Sequence, residues 1–109
     1  MTYSETLASR IREILGGRGD VSELRAFGGL AFLVNGNMAV AANSKGEAMV
    51  RVDPAEAEDL LAEVGVAPTV MRGRTMRGWL DLSPEALAGD RLAVWVERGL
   101  AYAATLPPK

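Results

Sequence analysis

The sequence predicts an α+β fold, with helices packed in two layers against an antiparallel sheet of about five or six strands. Three observations predict it. The hydrophobic period is helical at both ends of the chain and close to two through much of the middle. Asn35-Gly36 sits between two apolar runs and is the strongest short hairpin signal, because both turn positions need positive φ. Strand-like segments come in runs, and helices follow the runs. The expected order is α-β-β-β-β-α-β-β-α-α.

The first helix is expected over residues 3–16. Leu7, Ile11, Ile14 and Leu15 fall on one face. Thr2 followed by Glu5 matches a capping box, and Gly16-Gly17 is a stop. From Val21 the period shortens, with Leu24 and Ala26 alternating with Glu23 and Arg25. Leu30-Ala31-Phe32-Leu33-Val34 is apolar on both faces and reads as a central strand. Met38 to Ala42 returns after the Asn35-Gly36 turn. Ser44-Lys45-Gly46 turns the chain again, into a strand where Ala48, Val50 and Val52 alternate with Glu47, Met49 and Arg51.

Asp53-Pro54-Ala55-Glu56 is a helix start: Asp caps, and Pro in the first turn loses no hydrogen bond. This helix is expected to run to about Glu63, with Leu60 and Leu61 as its apolar contact. Val64 to Pro68 is read as a connection. Two short strands, Val70 to Arg72 and Arg77 to Leu82, are placed around Gly73-Arg74-Thr75-Met76. Ser83-Pro84-Glu85 starts a helical turn, and Asp90 is expected to cap a longer helix to about Thr105. Leu92, Trp95, Val96, Ala103 and Leu106 form its inner stripe, and Gly99 allows close packing.

The chain has 109 residues, which fits one domain over 1–109. It contains no Cys and no His. That excludes a disulfide, a thiolate nucleophile, an imidazole base, and Cys or His metal ligands. Lys and Arg number 12 against 14 Asp and Glu, so the balance of −2 disfavours a broad nucleic-acid surface. No apolar run approaches the ~20 residues of a membrane span, and Met1-Thr2-Tyr3-Ser4-Glu5 does not resemble a secretory signal. The expected location is cytoplasmic.

Several local patterns invite chemistry. Gly28-Gly29 offers bare backbone that can ring an anion. No G-x-G-x-x-G or P-loop spacing follows, so a strand bulge or tight crossing is the competing reading. Arg72, Arg74 and Arg77 make the segment up to Gly78 the most basic in the chain. They can grip phosphates or carboxylates, and Trp79 can stack on a ring; a solvated hairpin tip is the plainer alternative. Asp53, Glu56, Glu58, Asp59 and Glu63 are read mainly as caps and a solvated helix face. Met38, Met49, Met71 and Met76 are read as adaptable packing.

Five segments also carry a resemblance. Phe27-Gly28-Gly29-Leu30-Ala31-Phe32 resembles an F-G-G-x-x-F motif, and Asn35-Gly36-Asn37-Met38 the turn that follows it. Met49-Val50-Arg51-Val52 is similar to a strand ending in an arginine. Gly73-Arg74-Thr75-Met76-Arg77-Gly78 resembles a G-R-P-M-K-G loop, with Thr for Pro and Arg for Lys. Leu106-Pro107-Pro108-Lys109 resembles the ending of stand-alone members. In that order, over residues 1–109, they resemble the N-terminal domain of the TfoX/Sxy family. The resemblance implies an α+β domain with an antiparallel sheet and no known catalytic residues. It also implies a link to regulation of competence genes, in which the full-length protein works with a cyclic-AMP-responsive transcription activator. Full-length regulators carry a second, C-terminal domain resembling a helix-hairpin-helix module, and the likeness here is to the first domain alone.

The expectation is therefore a non-catalytic regulatory or protein-interaction domain. Its partner- or ligand-binding candidates are Phe27, Gly28, Gly29, Arg51, Arg72, Arg74, Arg77 and Trp79. One alternative is a small-ligand or anion site formed by the Arg72–Arg77 loop, Arg51 and the Gly28-Gly29 backbone. Another is weak nucleic-acid binding through the loop and Trp79. No enzyme activity, catalytic residue, cofactor or metal is expected. The expected partner is a protein, with a transcription regulator among the candidates. Nucleic acid is left open, a membrane is not expected, and a homodimer through an exposed strand edge fits.

Overall fold

Ser4 begins the first helix in the computed structural model, which describes residues 4–26 and 28–108. Its hydroxyl accepts from the Leu7 N–H at 3.2 Å and caps α1 (Glu5–Leu15). The cap is therefore Ser4; the expected Thr2 cap and helical Tyr3 lie outside the described residues. Gly16 ends the helix in the left-handed conformation, donating its N–H to the Arg12 carbonyl.

Four strands follow as a meander: β1 (Val21–Ala26), β2 (Gly29–Val34), β3 (Asn37–Ala42) and β4 (Ala48–Arg51). Asn35 and Gly36 have φ of 52° and 83°, as the Asn-Gly hairpin requires. After α2 (Pro54–Leu60) come β5 (Val66–Met71) and β6 (Arg74–Leu82), and then α3 (Arg91–Ala104). All neighbouring strands are antiparallel, in the order β1-β2-β3-β4-β6-β5. The expected α+β class and six-stranded count hold.

One face of the sheet forms the core. Leu30, Phe32, Val34, Val40, Val50, Leu80 and Leu82 meet Leu7, Ile11, Leu92, Trp95, Val96 and Leu100 from the helices. Ala39 is the extra residue of a bulge between the Phe32–Val40 and Leu33–Met38 pairs. A Cβ at Gly99 would lie 2.6 Å from the Ala39 carbonyl oxygen, so only glycine lets α3 press against this bulge. The close packing expected at Gly99 is thus explained. Asn37, 2% exposed, donates through Nδ2 to the Pro107 carbonyl at 2.9 Å and ties down the chain after α3.

Several expected boundaries move. Helix α2 stops at Leu60 rather than Glu63, and the chain tightens there through i→i−3 bonds from Ala62 to Asp59 and Glu63 to Leu60. The stretch read as a connection contains the start of β5, because an edge strand tolerates Pro68. Ser83 to Asp90 forms successive turns rather than a helix. Asp90 precedes α3 but its side chain makes no capping bond. Leu106 lies beyond the end of α3 and is half-buried, so it is not part of the helix stripe.

Candidate functional site

Arg51 closes β4 opposite Trp79 of β6. Its guanidinium carbon lies 5.3 Å from the Trp79 ring centroid and 5.9 Å from that of Tyr102 on α3. Both lie within the ~6 Å range over which an aromatic face attracts a cation. Among the described residues, no carboxylate is paired with Arg51. Trp79 is half-buried, with Arg51 against its ring.

Arg51 alternates with the buried Val50 and Val52 along β4, and Tyr102 comes from the far end of the chain. No local pattern marks Tyr102 as its neighbour, so sequence reasoning missed it. Beside this cluster, a cavity of about 330 Å³ opens between α2 and α3. Asp53, Glu56, Arg98 and Tyr102 are among its lining residues. Asp53 is committed to capping α2, accepting from the Ala55 N–H at 2.9 Å. Arg98 lies 4.5 Å from the Trp95 centroid and 3.1 Å from the Glu63 carboxylate, an ion pair outside hydrogen-bond geometry. Among the described residues, no cluster of acids is placed to hold a metal ion.

The basic segment forms the β5–β6 hairpin. Arg72 and Gly73, with φ of 53° and 77°, make a two-residue turn closed by the Met71–Arg74 pair. Arg72 is therefore a turn residue rather than the end of a strand, and Arg74 to Met76 belong to β6 rather than to a loop. Arg72, Arg74 and Arg77 are all exposed. None makes a hydrogen bond or ion pair among the described residues. The register slips between Pro68 and Val70, leaving Met76 to Trp79 bulged out opposite Thr69. Gly78 sits in that bulge at φ 81°. Its carbonyl accepts from the Val52 N–H at 2.8 Å, and a Cβ there would meet the Val52 carbonyl oxygen at 3.0 Å. Gly78 is thus structural.

Gly28 and Gly29 lie at the other end of the sheet. Gly28 turns the chain at φ 72°, and Gly29 begins β2 against β1. A Cβ at Gly29 would fall inside the contact distance of the Ala42 carbonyl oxygen. The glycines serve a tight crossing, the plainer of the two readings. The registers Leu30–Ala42 and Ala42–Ala48 put Gly29 roughly 13 Å along the strands from Arg51, at ~3.3 Å per residue. The single pocket expected from Arg51, the Arg72–Arg77 segment and Gly28-Gly29 therefore does not form. None of these residues lines the cavity between α2 and α3. Arg51, Trp79 and the arginine hairpin do share one end of the sheet. Phe27 lies outside the described residues.

Met38, Met49, Met71 and Met76 are half-buried, and none of the four joins the central core. Met49 and Met71 line a cavity of about 370 Å³ that also includes Ala41, Ala67 and Asp81. Among the described residues, no helix is long and apolar enough to cross a membrane.

No curated protein and no solved structure matches the chain. One family does, over residues 13–103, a span that takes in the last turn of α1, every strand, α2 and nearly all of α3. The sheet order, the Asn-Gly hairpin and the glycine-bounded arginine segment all lie inside that span, and the chain belongs to the TfoX N-terminal domain family.

Proposed function

We propose that this domain is a non-catalytic regulatory module that binds a protein partner through the β5–β6 hairpin, with a role in transcription regulation. One observation carries the reading: Arg72, Arg74 and Arg77 are exposed on an ordered hairpin and have no partner among the described residues. An unpaired guanidinium keeps its full set of donors, and its planar fork matches a carboxylate. The chain as a whole carries −2, so the positive tip is local. Such a tip fits an acidic protein segment better than a nucleic-acid backbone, which favours a wider basic surface. Family membership supports the transcription link.

The test compares the wild type with the Arg74→Ala/Arg77→Ala double variant. Binding to the cyclic-AMP-responsive activator of the source cell is measured by titration, alongside proteins captured from source-cell extract. The variant is expected to lose binding while its folding stability changes by less than about 0.5 kcal/mol, as for exposed side chains. Equal binding by the two proteins would remove the hairpin from the interaction.

A further inference from the structure

We infer that the free edge of β1 is a self-association site, where two copies of this chain join their sheets antiparallel about a two-fold axis at Leu24. This goes beyond the hairpin reading and uses the opposite edge of the sheet. β1 ends the strand order and, among the described residues, pairs with β2 alone. Its six residues from Val21 to Ala26 face Val34 to Gly29 one for one, with no slip. Ser22, Glu23, Leu24 and Arg25 are exposed. An edge strand of this kind offers unsatisfied N–H and C=O groups along its outer side.

The two faces of β1 are distinct. Glu23 reaches Arg12 on α1 at 2.7 and 2.8 Å, so Glu23 and Arg25 lie toward the helices. Leu24 pairs with Ala31, lies on the other face, and is 55% exposed. Two identical antiparallel edges related by a two-fold axis normal to the sheet keep their faces aligned, so one residue must oppose itself.

Charge then selects the register. An axis at Glu23 sets two carboxylates against each other, and an axis at Arg25 sets two guanidiniums against each other; directly opposed like charges destabilise a sheet. An axis at Ser22 pairs only the first three residues of the strand. With the axis at Leu24, Glu23 of each copy opposes Arg25 of the other, and Ser22 opposes Ala26. Leu24 then packs on Leu24, covering the exposed apolar side chain. Each Glu23 carboxylate would sit between Arg12 of its own chain and Arg25 of the second copy. The occupant is thus a second copy of this chain, since the edge is complementary to itself.

The absence of cysteine permits a direct test, because a single introduced thiol is the only one present. Cross-strand neighbours have Cβ atoms ~5 Å apart, near the range a disulfide bridges. Leu24→Cys should therefore form a disulfide dimer on mild oxidation. Val70→Cys, at a site on β5 that is also 55% exposed, should not. By sedimentation velocity the wild type should dimerise with rising concentration. Arg25→Glu should weaken the dimer about tenfold. A wild type that stays monomeric, or Leu24→Cys crosslinking no faster than Val70→Cys, overturns the inference and leaves the edge to a strand of another protein. If Arg25→Glu fails to fold, the cysteine pair still decides.

Discussion

β1 and β5 close the same sheet on opposite sides, and each carries one large exposed apolar side chain, Leu24 and Val70. Their backbones differ. β5 holds Pro68, which has no N–H to offer, and its register breaks between Pro68 and Val70. Its hairpin continues into a bulge that holds Gly78 at φ 81°. β1 has no proline, no glycine and no slip. Its protection is side-chain charge, from Glu23 and Arg25. A missing donor and a bent strand disfavour edge pairing with most strands. A charge pattern excludes only strands that fail to match it, and a reversed copy of β1 matches. The comparison teaches that the two edges of this sheet are guarded by different physics, and only one guard is selective.

The largest expected effect strikes the regular side. Gly29→Ala puts a methyl group into the Ala42 carbonyl oxygen, a backbone atom that cannot turn away. It should cost about 3 kcal/mol in urea unfolding, at the upper end for overpacking. A loss near zero would mean that β2 can shift away from β3 at this point, and the regularity of β1 would lose its anchor. On the blunted side, Gly78→Ala forces an alanine into the left-handed region and against Val52 and Pro54. It should cost about 2 kcal/mol by the same measurement. A neutral Gly78→Ala would show that the bulge beside β5 is not pinned by this glycine.

The same division decides what the sequence could reveal. The β1 to β4 meander was legible because Asn35-Gly36 announces its turn, and Ala48, Val50 and Val52 alternate cleanly into the core. The β5–β6 hairpin was only half legible. Arg72-Gly73 makes a turn usually written with Asn or Asp, and Pro68 reads as a break although an edge strand accepts it. Helix α2 looked longer than it is because Leu60 and Leu61 continue the apolar pattern into the turns that end it. Of the candidate site, the arginine hairpin was visible in the residues themselves. The pairing of Arg51 with Trp79, and the approach of Tyr102, depend on the register of distant strands and on how α3 crosses them. No local spacing encodes either. The anion-site alternative joins Gly28-Gly29 to the arginines in one pocket because both can hold an anion, whereas the antiparallel order sends them to opposite ends of the sheet.

The smallest effect sharpens the electrostatic side of the comparison. The Arg12 guanidinium donates to both oxygens of the Glu23 carboxylate and holds its pKa below the usual glutamate value. A carboxyl group with a lowered folded pKa contributes stability above its unfolded pKa, ~4.3, and loses that contribution as pH falls through the folded value. Arg12→Ala should therefore raise the Glu23 midpoint in an NMR titration. Both side chains are substantially exposed, at 45% and 39%, so solvent screens the pair and its removal should cost only about 0.5 kcal/mol at neutral pH. That cost should shrink as pH falls below the wild-type midpoint, where Glu23 is protonated in both proteins. High salt should diminish it as well. A Glu23 midpoint unmoved by Arg12→Ala would mean that Glu23 is not held by α1. The carboxylate at the open edge would then be unanchored, and the charge pattern that sets β1 apart from β5 would lose the fixed geometry its selectivity requires.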